Sequence, residues 1–440
     1  MNNRSAVTMA IAAVGVWATS HSAFAAGFQV NEHGAIGTGR AGAVVSTGND
    51  PSMVYHNPAL LTRTKGTQFM GGANVFFTGS TYTGRGRPVD ALDDPVSQST
   101  SSTPIPAPYA YATHSISKTA AVGIGLFNNY GLTVKWDNPD EFVGRTLIQE
   151  LSLRTFFITP AVAMELSDSV SVAVGVMMVP ATLLLDRVIG ASDNGQVVFP
   201  SVNGSAEGTA KLNGTAFGVG AMAGLAVSLT DNLRLGLTYR SAVSLNFEGN
   251  VDFNVPEGTP ASVAANFPDQ SINGELVLPH VIGGGIGWEG SNWAIEFATQ
   301  VTFWASYDEL RINFDDGLPV PTTAVPRNWT ASPLFRLGGE YRLENSLSLR
   351  AGLAYDVSPV PDDTIDPTLP DNNRVIASLG LGYDFGPVRV DVGYMMLFIG
   401  EREITPEDNN VNFPTPAPDE SYRYDSSFVQ VASLSFGVKL

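Results

Sequence analysis

Gly37-Thr-Gly39-Arg-Ala-Gly42 has the G-x-G-x-x-G spacing with which backbone amides cradle a dinucleotide pyrophosphate. That fingerprint requires a buried strand before it and a helix after it. The preceding residues, AAGFQVNEHGAI, hold no Val or Ile run long enough for such a strand. Beyond residue 25 the histidines are His33, His56, His114 and His280, too widely spaced for metal-ligand pairing. His114 and Ser115 are neighbours, but adjacent strand residues point to opposite faces and cannot form a nucleophile–base contact. Cysteine is absent, which removes thiolate chemistry and any disulfide framework. The acidic stretches DDTIDPTLPDNN and ITPEDNNVNFPTPAPDE lack EF-hand spacing and read first as solvated loops, with divalent-cation binding at the surface the alternative. No enzyme activity, metal or cofactor is expected.

The surrounding elements carry more information. Formal net charge is −18, which argues against nucleic acid as a partner. Charged residues make up 15%, below the ~25% usual for soluble domains, beside 45 glycines and 10% aromatics. Odd positions from Leu233 read Leu233, Leu235, Leu237, Tyr239, Ser241, Val243, Leu245 and Phe247, alternating with small or polar residues as far as Glu248. That predicts one strand of some sixteen residues, against the ~5–6 usual in soluble proteins. Runs at 217–229 and 346–357 behave alike. Tight turns at Ser117-Lys118, Ser167-Asp168, Asp231-Asn232, Gly290-Ser291-Asn292, Glu344-Asn345 and Gly386-Pro387 alternate with long polar stretches. These are 79–107, 131–152, 187–209, 255–271, 316–330, 358–373 and 402–422. The pattern is that of an all-β fold, a transmembrane antiparallel β-barrel of about fourteen strands with both termini periplasmic.

The start of the chain departs from this pattern. Arg4, the apolar Ala6–Ala18 and Ala23-Phe24-Ala25 read as a signal peptide over 1–25. Residues 26–66 are expected to form a plug of short helices, with 67–440 as the barrel. Asp50-Pro51 and Asn57-Pro58 each pair an N-cap with a first-turn proline. In NPDEFVGRTLIQEL, Asn138, Pro139 and Glu141 predict a capped helix presenting Val143, Leu147 and Leu151, with Phe142 and Ile148 beside them. In strand three, Val122, Ile124 and Leu126 alternate toward lipid, and Asn128-Asn129 then interrupts the face, predicting a bulge or kink at Phe127–Asn129.

AGFQVNEHG followed by HNPALL, with the AGFQ start and Asn57-Pro58-Ala59 the most specific parts, resembles the plug of the FadL-type outer-membrane transporters of long-chain fatty acids. NYGL, LTYRS, ELVLPHVIGG, NWAIEF and SPVP follow in the family's order. The resemblance implies a monomeric barrel that imports hydrophobic molecules by passive, ligand-gated diffusion and releases them sideways at the strand-three kink. Long-chain fatty acids are the first expectation for the substrate, and aromatic or aliphatic hydrocarbons the alternative. A general porin, or a structural or adhesin barrel, is the alternative of another class. Outer-membrane lipid and lipopolysaccharide are the expected surroundings.

The resemblance also implies site residues. The greasy loop segment would capture the molecule, unless it merely packs loop on loop to cap the barrel. Arg187, after three leucines, lies where the family places an arginine near its tight-binding pocket, unless it merely pairs with Asp186. Phe28 matches a phenylalanine that reaches back into that pocket. Thr330 stands where the family has a basic residue before strand ten, with Arg327 the nearest replacement. Gly37, Gly39 and Gly42 are expected to let the plug pack closely against the wall.

Overall fold

The structure, a computed structural model, describes residues 27–84, 96–193, 196–199, 207–314, 323–412 and 421–440. The expected signal peptide lies outside them. Fourteen antiparallel strands close into a barrel. An interrupted strand keeps one number. They are β1 (Thr67–Phe77), β2 (Ile105–Ser115), β3 (Ala120–Phe127, Gly131–Lys135), β4 (Glu150–Thr155, Phe157–Ser167) and β5 (Val170–Ile189). β6 (Gly208–Ser228), β7 (Leu233–Arg240, Val243–Asn254), β8 (Gln270–Leu278, Val281–Glu289) and β9 (Trp293–Phe303, Glu309–Phe314) follow. The remainder are β10 (Thr323–Pro326, Ala331–Arg342), β11 (Leu347–Asp356), β12 (Arg374–Asp384), β13 (Val388–Ile399) and β14 (Ser427–Lys439). β14 pairs with β1, Phe436 opposite Gly71, so no edge is left unpaired there.

Short turns at 116–119, 168–169, 229–232, 290–292, 343–346 and 385–387 form one rim, where Leu440 also donates to the Thr67 carbonyl. Long connections form the other. In two of them Thr81–Gly84, Val96–Ser99, Arg402–Ile404 and Tyr422–Tyr424 build a small separate sheet. β3 likewise continues into the stretch read as loop from residue 131.

Outward positions carry Ile124, Val174, Phe217, Leu353 and Leu379, all exposed in the isolated chain, as a lipid-facing belt requires. Trp288, Trp293, Tyr341 and Tyr383 ring the short-turn end. No helix among the described residues is long and apolar enough to cross a membrane; the crossing is made by strands.

Residues 27–64 fill the lumen with α1 (Ala35–Gly39), α2 (Met53–His56) and a 3-10 helix (Pro58–Arg63). Asn57 caps the last through the Ala59 amide, with Pro58 at its first position. It also donates to the carbonyls of Val45 and Leu225, tying plug to wall. Ser52, not Asp50, precedes α2; the Asp50 carboxylate instead accepts from the Ser52 amide. Glu296 of β9 accepts from the amides of Val45, Ser46 and Thr47 and from both hydroxyls of that turn. Gly39 lies directly on Gly380 and Gly42 on Arg336, both in the wall, whereas Gly37 packs on His56 within the plug.

Candidate functional site: an apolar cavity above the plug

Inward side chains of β5 to β8, among them Leu183, Leu185, Leu212, Phe247 and Leu276, line a cavity in the half of the barrel above the plug. About 110 Å³ of it is open to the centre of a water-sized sphere, roughly tenfold what one water needs. A change of face in β7 builds this wall. Leu237 and Tyr239 are 44% and 39% exposed, whereas Val243 and Leu245 are 2% and 0% exposed. Ser241 and Ala242 separate the two halves of the strand, and Pro279-His280 separate the matching halves of β8. The unbroken sixteen-residue alternation is therefore corrected: one extra residue moves the apolar face from outside to inside. The physical reason is solvent. Beyond the hydrocarbon the outer wall meets water, so apolar residues gain by facing the lumen.

Arg187 sits on β5 with its neighbours Leu183 and Leu185 on the same inner face. Among the described residues it makes no ion pair, and its buried Nε has no hydrogen-bond partner. Asp186, next to it, points to the other face, as alternation demands. Arg327 also lines the cavity but is neutralised: its guanidinium meets the Asp366 carboxylate at 2.6 Å. Burial pulls the Arg327 pKa down, yet Asp366 and Tyr307 together hold it above the usual arginine value. Thr330 bonds the Pro359 carbonyl and does not line the cavity.

The expected capture helix does not form. Residues 138–149 make turns, Asn138 takes a left-handed φ of 50°, and Leu151 belongs to β4. β-Branched Val143 and Thr146 flank Gly144, a poor helix sequence. A Cβ on Gly144 would fall 2.7 Å from the Phe142 ring and 2.8 Å from Pro367. Phe142 stacks on Trp136 at 3.8 Å, and Ile148 is buried with it. Only Leu147 and Leu151 of the five reach the cavity; Val143 is half-buried against the hydrophobic core. A second, outer cavity, about 260 Å³ by the same measure, is lined by Thr146, Val188, Phe253, Phe267 and Phe314, and shares Arg187 and Leu212 with the first. Arg187 thus stands where the two spaces meet.

Phe28 closes the bottom of the inner cavity among Trp304, Tyr307, Trp329 and Tyr130, with ring centroids 4.7 to 6.1 Å away. The chain around it runs along the interruption in β3. Val30 donates to the Asn129 carbonyl at 2.8 Å and Gly131 to the Phe28 carbonyl at 2.9 Å. Up to Phe127, β3 pairs with β4, and it pairs with β2 as far as Leu126. Beyond that point Ile105–Tyr109 of β2 face β1 alone, because β3 has turned to the plug segment. Asn128 is buried and donates to the Thr155 carbonyl at 2.7 Å.

Residues 16–436 match the model of the outer membrane protein transport family (OMPP1/FadL/TodX). The chain belongs to this family. The long-chain fatty acid transport protein of Escherichia coli strain K12 is 28% identical over 440 residues, covering 89% of this chain and 92% of that one. The crystal structure of a Pseudomonas aeruginosa FadL homologue superposes with a TM-score of 0.82 at 20% identity, covering 94% and 100%. That of the toluene transporter TodX from P. putida does so at 0.67 and 19%, covering 93% and 99%. The protein is thus an outer-membrane barrel of a transport family.

Several cavity residues escaped sequence reasoning. Phe253, Phe267 and Phe314 lie in stretches too polar to stand out. Trp329, two residues beyond Arg327, stands where no apolar alternation marks it as cavity-facing. His114 and Ser115 bond Thr67 and the Thr64 carbonyl, not each other.

Proposed function

We propose that this barrel imports long-chain fatty acids by passive diffusion. The acid enters the outer cavity, passes Arg187 into the inner one, and leaves sideways where β3 parts from β2. One observation carries the reading: a buried guanidinium with no counter-ion among the described residues, on a largely apolar wall. A desolvated cation is costly alone, and a carboxylate supplies the charge-assisted bonds it lacks. The E. coli relative, a long-chain fatty acid transport protein, supports the same substrate. The latch at Glu296 supports a sideways exit, since it holds the plug across the direct route. The Phe28–Gly131 bond links cavity floor to exit, which supports gating by the ligand.

A second reading is uptake of aromatic hydrocarbons. The ring-lined floor of Phe28, Tyr307 and Trp329 favours it, and toluene transporters share the fold. Equilibrium binding of oleate and p-xylene to the detergent-purified protein, with Arg187→Ala alongside, separates the two. Oleate binding weakened at least about tenfold in the variant supports the acid. Xylene binding indifferent to the variant, without oleate binding, supports the hydrocarbon.

A further inference from the structure

The cavity holds a second locus of unpaired donors. The indole Nε1 of Trp329 and the Nε of Arg327 are buried and have no hydrogen-bond partner among the described residues, and both side chains line the cavity. They sit at the start of β10, five strands around the wall from Arg187 on β5. Both are donors only, so what they lack is an acceptor. The charge there is already balanced by Asp366. At Arg187 no described residue balances it. The two loci therefore ask for different groups: an anion at one and a neutral oxygen at the other, with apolar wall between them.

Resting on the fatty-acid reading above, we infer that the preferred substrates are long-chain acids carrying a neutral oxygen function, a hydroxyl or keto group, along the chain. The carboxylate meets Arg187, and the second oxygen accepts from Trp329 and Arg327. A plain acid would leave these donors buried and unsatisfied, a cost a hydroxy acid removes. A dicarboxylic acid would instead place a second charge beside an arginine already neutralised.

The test is isothermal titration of the detergent-purified barrel with stearate, 12-hydroxystearate, 18-hydroxystearate and octadecanedioate. At least one hydroxy acid should bind about three- to tenfold more tightly than stearate, and the diacid should gain nothing. Trp329→Phe keeps a ring and loses the N–H; in it the ratio of hydroxystearate to stearate affinity should fall to one, whatever happens to stearate itself. Arg187→Gln should weaken all the acids together. Heat-modified gel mobility confirms that each variant is folded. Equal affinity of stearate and both hydroxy acids in the wild type overturns the inference and leaves the fatty-acid reading standing. A preference that survives Trp329→Phe overturns the assigned locus. If no acid binds while p-xylene does, the fatty-acid reading itself falls, and this inference with it.

Discussion

The backbone N–H of Gly131 reaches the carbonyl of Phe28 at 2.9 Å, so the residue that floors the cavity is tied directly to the interrupted strand β3. The ring of Phe28 is held by four aromatic neighbours, and its backbone by the two bonds flanking Tyr130. Packing and hydrogen bonding therefore reinforce one another.

Phe28→Ala removes the ring and should free the segment. A truncated buried phenylalanine costs about 3–5 kcal/mol where the site cannot collapse. Amide exchange at residues 28–31 and 129–131 should accelerate together, while strands β9 to β14 remain protected. Hydrogen–deuterium exchange read by mass spectrometry checks this. Faster exchange at 28–31 alone would show that the two segments are not coupled.

Glu296 is the latch of the plug. Five donors of the Val45–Thr47 turn converge on one buried carboxylate. Glu296→Ala orphans them, at about 1–3 kcal/mol for each that finds no water. The turn should come away from β9 and open a polar leak beside the plug. Planar-bilayer recordings should show the variant conducting well above wild type, with Glu296→Gln between them, since the amide keeps an acceptor oxygen. Conductance equal to wild type in both would place the seal elsewhere.

The strand count, the alternation of short and long connections and the Asn57-Pro58 cap were readable because each rests on local chemistry: period-2 burial, turn residues, a side-chain cap. The cavity was less so. Period-2 alternation shows that one face of β7 is apolar, not whether that face looks out or in, and the extra residue at Ser241–Ala242 reverses it. The NPDEF segment carried valid capping residues, yet Trp136 and Pro367 drew Phe142 into a packed core that helical geometry could not serve. Arg187 could be singled out by the family resemblance. That it has no counter-ion among the described residues depends on which loops fold back over it, and no spacing encodes that.

Glu32 predicts a pH dependence of the plug. Burial pushes its carboxyl up from 4.5 to about 7, against the pull of its own backbone and of Arg336. With the folded pKa raised, the favourable neutral form is fully present below 4.5, and its advantage is lost as pH rises through 7. The shift corresponds to about 3 kcal/mol. His56 works the other way. Burial lowers it from 6.5 to about 3, so its contribution is lost as pH falls through that range. Glu32→Gln isolates the first effect: exchange at residues 31–42 should slow in the variant relative to wild type at pH 8, and match it at pH 4.5. A difference of the same size at both values would exclude titration of Glu32.

Gly39→Ala tests how the plug meets the wall. A Cβ there would lie 2.9 Å from the Gly380 Cα and 3.3 Å from the Gly380 nitrogen, both backbone atoms of β12. Neither can rotate away. The next neighbour, the Cβ of Arg350, is also fixed, because that guanidinium bridges Glu340 at 2.7 Å and Asp391 at 2.9 Å. The methyl group must therefore push α1 off the strand, with an overpacking cost of about 1–3 kcal/mol. The thermal midpoint should fall, and amide exchange should rise first in α1. Gly79→Ala is the control: a Cβ there meets nothing within 4 Å, so its midpoint should equal wild type. If Gly39→Ala melted with the control, α1 would not rest on β12, and the close backbone contact between plug and barrel would have to be abandoned.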